Sequence, residues 1–273
     1  MGTRAPRPRR PAAGRVRAPR ACRRGRLTTR QEKARAIVLA SRPLGEADRI
    51  LRLYTRELGR VDAVAKGVRK TTSRWGGRLE PFNVCDLVLY PGRSLHTVTQ
   101  AHLVDVFLRL WSDREALSAS AVACEAVSGL TAMHEPEERI FALLRNSLRE
   151  FDEGFKGEAG RSPLLLGVLL KLLLVAGYMP VLEYCASCGG GERALGFSAV
   201  QGGLVCGECL DGAVPVTPAA VAVLQEAMER SLGELRTAEP SAAAAEALRH
   251  LHDLYRYHTG ARLRALRFAR SGG

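Results

Sequence analysis

RAIVLASRPLGEADRILRLYTRELGRVDAVAK, residues 35–66, is the stretch on which the fold turns. It holds two short runs rich in Val, Ile, Leu and Tyr, RAIVLASR (35–42) and DRILRLYTR (48–56), and opens a third, GRVDAVAKG (59–67). In the third, apolar Val61, Ala63 and Ala65 fall at every second position, with Arg60, Asp62 and Val64 between them, the period of a half-buried strand. NVCDLVLY (83–90) and SLHTVTQAHLVDV (94–106) continue the texture, with a hairpin-like turn at Pro91–Arg93. Five short strands within about 75 residues, with a long insertion after the third, predict a small closed barrel of the oligonucleotide-binding (OB) type. A generic antiparallel sheet has the same periodicity and stays open as an alternative.

Downstream of Phe107 the period changes to that of helices. FLRLWSDREALSASAVACEAVSGLTAM (107–133) reads as one, and ERIFALLRNSLREFDEGF (138–155) as a second opening near Pro136. Ser162–Pro163 and Thr217–Pro218 are each an N-cap followed by a first-turn proline. The helix after Ser162 is apolar nearly all round and belongs at the centre of a bundle. A last helix is expected from about Ser241 to Phe268. The predicted fold class is α+β: an OB-type barrel over 35–108, then a helical domain over 109–273 carrying an insertion at 184–210.

Charge divides the chain. The net formal charge is +13, made of +11 in residues 1–30, +6 in 31–110 and −4 in 111–273. Residues 1–34 are Arg/Pro-rich with little to bury, which predicts a disordered tail. Such a tail is either a polybasic arm or dispensable. A basic barrel domain points to a polyanionic partner. No apolar run is long enough to span a membrane, and the arginine-rich start lacks the apolar stretch of a secretory signal. Seven cysteines, an odd number, without such a signal fit the reducing cytoplasm.

Four of the seven lie in the insertion as Cys185-x2-Cys188-x17-Cys206-x2-Cys209. Two such knuckles present four thiolates to one tetrahedral Zn²⁺, and glycines beside them supply the turns. A closed four-sulfur site leaves no position for substrate, so the expected role of Zn²⁺ is structural. A redox pair and disulfides are the other readings of the same cysteines.

In KGVRKTTSRWGGRLEPF (66–82), Lys66, Arg69, Lys70, Arg74 and Arg78 fall within thirteen residues that hold no acid, with Trp75 beside Arg74. Cations for phosphates and a flat ring for bases make these six residues the candidate nucleic-acid contacts. The alternative is a solvated loop with Trp75 plugging the barrel end. Arg35, Arg49 and Arg52 either extend the patch or are ordinary outward-facing residues. Nucleotide-binding, metalloprotease and serine-hydrolase motifs are missing, so the chain is expected not to be an enzyme.

LGEADRIL (44–51), AVAKGVRK (63–70) and LEPF (79–82), followed by LLKLLLVAGYMPVLEYCASCG (169–189) and GGLVCGECL (202–210), resemble the bacterial recombination-repair family RecO. The resemblance runs from Arg35 to about Leu210. It implies an OB domain, a helical domain with a zinc ribbon, and binding to single- and double-stranded DNA. It also implies annealing of complementary strands, partnership with RecR, contact with the acidic C-terminal tail of single-stranded-DNA-binding protein (SSB), and indirect help to RecA loading. A cytoplasmic, nucleoid-associated location goes with it. Carried onto this chain, the zinc ligands fall on the four paired cysteines and the DNA contacts on the basic loop. Lys171, a cation on an apolar helix, is the candidate for the SSB tail. A zinc-containing, sequence-specific regulator is the competing reading, although the cysteine segment carries only Arg193 as a basic residue.

Overall fold

In the computed structural model, which describes residues 31–70, 73, 75–190 and 194–266, five strands close into a barrel. They are β1 (Glu32–Leu44), β2 (Asp48–Thr55), β3 (Gly59–Ala65), β4 (Val84–Tyr90) and β5 (His96–Asp105). Their order round the barrel is β1-β2-β3-β5-β4, antiparallel except for the β3–β5 pair, which runs parallel. Closure leaves no free strand edge, and this order settles the choice between a barrel and an open sheet.

The predicted alternation in β3 is observed: Val61, Ala63 and Ala65 are buried while Arg60, Asp62 and Val64 are less so. β1 is buried on both faces. Ala36 and Val38 join Leu51, Leu53, Cys85 and Leu87 inside the barrel. Ile37 and Leu39 join Tyr54 and Val84 in the core shared with the helices. One wall of the barrel is therefore also the floor of the helical part, which is why the run IVL is uninterrupted by a polar residue.

After a 3-10 turn at Arg109–Trp111 come α1 (Arg114–Leu130), α2 (Glu138–Glu153) and α3 (Pro163–Val175). Beyond the ribbon follow α4 (Pro218–Glu229), α5 (Leu232–Thr237) and α6 (Ala242–Thr259). α3 packs against α1, α2, α4, α5 and α6, as its all-round apolar sequence requires. Its cap is the predicted one: Ser162 Oγ accepts from the Leu165 N–H at 3.3 Å. At α4, Thr217 Oγ1 accepts from the Ala220 N–H at 3.2 Å.

Barrel and bundle are joined at residues 135–137. The buried Tyr54 hydroxyl accepts from the Glu137 N–H at 3.1 Å and meets the Glu137 carbonyl at 3.3 Å. Gly59 turns β2 into β3 with φ +66, and a Cβ there would sit 2.3 Å from the Glu135 carbonyl oxygen. Only glycine permits both the dihedral and the approach.

Three expectations shift. β1 starts at Glu32, so residues 32–34 are strand, where a disordered tail over 1–34 was expected; residues 1–30 lie outside the described residues. The first helix begins at Arg114, not Phe107, because Asp113 caps it through the Glu115 and Ala116 N–H groups. The last helix stops at Thr259 rather than Phe268, because Gly260 takes the left-handed φ of +67 and caps it. No helix among the described residues is long and apolar enough to cross a membrane.

Candidate metal centre and nucleic-acid interface

The ribbon follows α3. A small sheet of β6 (Gly196–Ser198), β7 (Gly203–Val205) and β8 (Val214–Pro215) brings the two cysteine knuckles together. The Ala186 N–H donates to the Leu204 carbonyl at 2.7 Å, and the Leu195 N–H donates to the Val205 carbonyl at 3.0 Å. The first ties the Cys185–Cys188 knuckle to the strand that leads into Cys206, and the second extends the β6–β7 pair. The four sulfurs of Cys185, Cys188, Cys206 and Cys209 lie within 4.8 Å of one another. Cys188 and Cys206 Sγ are 3.8 Å apart, matching the separation of about 3.8 Å for sulfurs at tetrahedral corners about 2.3 Å from a zinc ion. None of the described cysteines is in a disulfide.

The electrostatics of the cluster point the same way. Backbone N–H groups of Cys188 and Cys206 aimed at Cys185 hold its thiol down at about 6. At Cys188 the Gly190 N–H favours the thiolate, yet hydrogen bonding with the Cys185 and Cys206 sulfurs outweighs it and pushes the thiol up to about 12. Four sulfurs this close do not all carry negative charge unless a cation lies between them. The residues present fit a metal ion held by four thiolates. Cys85 and Cys124 are buried in the cores, and burial raises both thiols, Cys85 to about 12.

The basic loop spans β3 to β4 at one end of the barrel. Lys66, Arg69 and Lys70 are exposed and form no ion pair among the described residues. The Arg69 guanidinium donates to the Gly45 carbonyl at 3.0 Å, tying the loop to the β1–β2 turn. The Gly67 N–H donates to Asp48 Oδ1 at 2.8 Å. Arg78 is exposed, and its Nη1 donates to the Trp75 carbonyl at 3.0 Å. Arg74 lies outside the described residues.

Trp75 stands apart from the described cations of the loop. Its ring is 3 % exposed and packs among Val61, Ala63, Leu79 and Val98 in the barrel core. Its Nε1 donates to the Lys66 carbonyl at 2.9 Å. In this conformation it offers no face for a base. The physical reason is the barrel end itself, an apolar opening that the ring fills.

The barrel arginines are paired. Arg35 makes a two-pronged contact with Asp86 at 2.8 and 3.0 Å, and Arg49 one with Glu80 at 2.9 and 3.0 Å. Arg52 meets Asp62 at 3.2 Å. They are outward-facing strand residues whose charge is already met by a carboxylate, that of Arg49 by Glu80 of the loop itself. Lys171 donates to the carbonyls of Ala227 and Met228 at 3.0 and 3.1 Å, capping the end of α4. Burial lowers its pKa. Sequence reasoning passed over Trp111, which it absorbed into a helix.

Residues 29–107 match the family model "Recombination protein O N terminal" and residues 111–267 match "Recombination protein O C terminal". The chain belongs to the RecO family of DNA repair proteins. Against a DNA repair protein RecO from Nocardioides sp. it is 42% identical over 216 residues, 76% of this chain and 85% of the relative. Against that of Frankia casuarinae it is 43% identical over 194 residues, 70% of this chain and 78% of the relative. Against that of Rubrobacter xylanophilus it is 41% identical over 212 residues, 74% and 82% of the two chains. The RecO N-terminal match coincides with the barrel, and the C-terminal match encloses the helices and the four-cysteine ribbon.

Proposed function

We propose that this chain is a non-enzymatic mediator of recombination repair. It binds single- and double-stranded DNA through the basic loop, anneals complementary strands and, with RecR, assists RecA loading on SSB-coated DNA. The carrying observation is the division of charge. Lys66, Arg69 and Lys70 stand exposed at one barrel end without acidic partners among the described residues, whereas Arg35, Arg49 and Arg52 are each held by a carboxylate. Unpaired cations exchange counterions for phosphates, and paired ones must first lose a carboxylate. Arg78 and Arg74 extend the same surface in sequence.

Annealing follows from such a surface. Two strands repel through their phosphates, and a cationic loop that holds backbone without reading base edges lowers that repulsion while leaving the bases free to pair. The four cysteines hold a structural Zn²⁺, whose contribution is to fold a segment with a small apolar core of its own. A regulator reading sequence through the ribbon is less well supported, since the loop's cations lie in the barrel domain instead.

The test is annealing of complementary strands coated with SSB, with and without the protein, and with Lys66, Arg69 and Lys70 changed to Ala. Faster pairing with the wild type and loss of that gain in the triple variant support the reading. No acceleration by the wild type removes it, and turnover of DNA with Mg²⁺ or Mn²⁺ makes the protein an enzyme.

A further inference from the structure

The chain has two tryptophans. Trp75 is buried, and Trp111 is 50% exposed. We infer that Trp111 is a stacking platform for an unpaired nucleobase, continuing the path of a strand whose phosphates lie on the basic loop. This rests on the DNA-binding reading and adds to it the element a phosphate site lacks, a flat apolar face.

The ring is presented by the protein rather than left over. Trp111 ends the 3-10 turn, and its neighbour Leu110 is wholly buried. The Leu110 N–H donates to Asp152 Oδ1 at 3.1 Å, which ties the turn to α2. The Asp113 cap on α1 fixes the other side. The indole lies against Phe82, with ring centroids 5.8 Å apart and planes inclined by 45°. Phe82 itself is the last residue of the basic stretch and sits at φ 73, unusual for a bulky side chain. Its N–H donates to the Val38 carbonyl at 2.8 Å, which holds it there. Next to it, the Asn83 side chain donates to the carbonyls of Gly77 and Arg78 at 3.1 and 3.3 Å. A continuous set of contacts thus links the exposed indole to the backbone that carries Arg78.

The surroundings favour a nucleic acid over other occupants. Arg109, two residues before Trp111, is exposed and forms no ion pair among the described residues. The nearby acids are engaged: Asp113 accepts from the Glu115 and Ala116 N–H groups, and Glu115 accepts from the Ala159 N–H. Aromatic rings beside unpaired cations are the usual construction of a site that holds single strands without reading sequence.

The experiment uses the full chain and an oligothymidylate probe, with affinity measured by anisotropy across a salt series and binding also followed by tryptophan emission. The probe should quench wild-type emission, and Trp111→Phe should abolish most of that quench, because the remaining indole is buried. Trp111→Ala should weaken binding about tenfold with an unchanged salt slope, while Trp111→Phe stays within about threefold of wild type because a ring is retained. If Trp111→Ala does not fold, the quench in Trp111→Phe decides. Unchanged affinity in a folded Trp111→Ala, or full quench persisting in Trp111→Phe, overturns the inference and leaves that face to a protein partner. Failure of the wild type to bind the probe instead sinks the DNA-binding reading itself, so the two failures are distinguishable.

Discussion

The indole Nε1 of Trp75 donates to the main-chain carbonyl of Lys66 at 2.9 Å. The ring that sequence alone leaves between a DNA contact and a plug for the barrel end is thereby the anchor that holds the first cation of the loop in place. Replacing Trp75 by Ala empties a buried aromatic site and should cost about 3–5 kcal/mol. Trp75→Phe keeps most of the volume and loses one hydrogen bond, about 1 kcal/mol. Urea denaturation followed by circular dichroism measures both, and equal effects of the two variants would show that the ring is not packed as described.

The loop cations and the barrel arginines should separate in a salt titration. Changing Lys66, Arg69 and Lys70 together to Ala removes up to three phosphate contacts, which should flatten the slope of log K against log salt by about 2 for a single strand. Arg35→Ala and Arg49→Ala should leave the slope within error, since each guanidinium already faces a carboxylate. Melting temperatures taken alongside should change little in the triple variant, because all three side chains are exposed.

Removing the metal should unfold the ribbon before it disturbs the barrel. A strong chelator, or Cys185→Ser, takes away a ligand of a site whose binding contributes on the order of 10 kcal/mol to local folding. Hydrogen exchange should rise across residues 184–210 while β1–β5 stay protected. A metal-free variant with unchanged protection in the ribbon would show that the cysteines do not fold it.

His250 predicts a pH effect. It is 3% exposed, stacked on Phe197 of the ribbon at 5.1 Å, and its Nε2 has no hydrogen-bond partner among the described residues. The nearest carboxylate, Glu246, is 3.8 Å away and occupied by the Thr217 N–H and hydroxyl. Arg249 and Asp253 act on it with opposite signs. Burial lowers its pKa below the ordinary 6.5, so the unfolded chain takes up the proton first and this site loses stability as pH falls through about 6.5. Thermal melts at pH 7.5 and 5.5 should show a smaller loss in His250→Phe than in wild type.

Tyr54 and Gly59 test the joint between barrel and bundle. Tyr54→Phe leaves the Glu137 N–H without its partner, a cost of about 1–3 kcal/mol. Gly59→Ala drives a methyl group into the Glu135 carbonyl and should destabilise more than Tyr54→Phe in the same denaturation assay.

The amino-acid sequence by itself determined what depends on neighbours along the chain. Val61, Ala63 and Ala65 report a strand by their period; Ser162–Pro163 and Thr217–Pro218 report helix starts by their chemistry; Cys185 to Cys209 report a four-sulfur site by spacing. It was less decisive at the ends of α1 and α6, where Asp113 and Gly260 cap helices inside runs that read as continuously helical. Only the tertiary structure decided which charges and rings are available. Arg35 faces Asp86 across the β1–β4 pair, fifty-one residues away, and Arg49 reaches Glu80 across thirty-one. Trp75 and Trp111 look alike in sequence, yet one closes the barrel and the other stands half in solvent. Pairing and burial are set by strand register and by which element fills which opening. Those are properties of the closed barrel, and no local pattern in the chain encodes them.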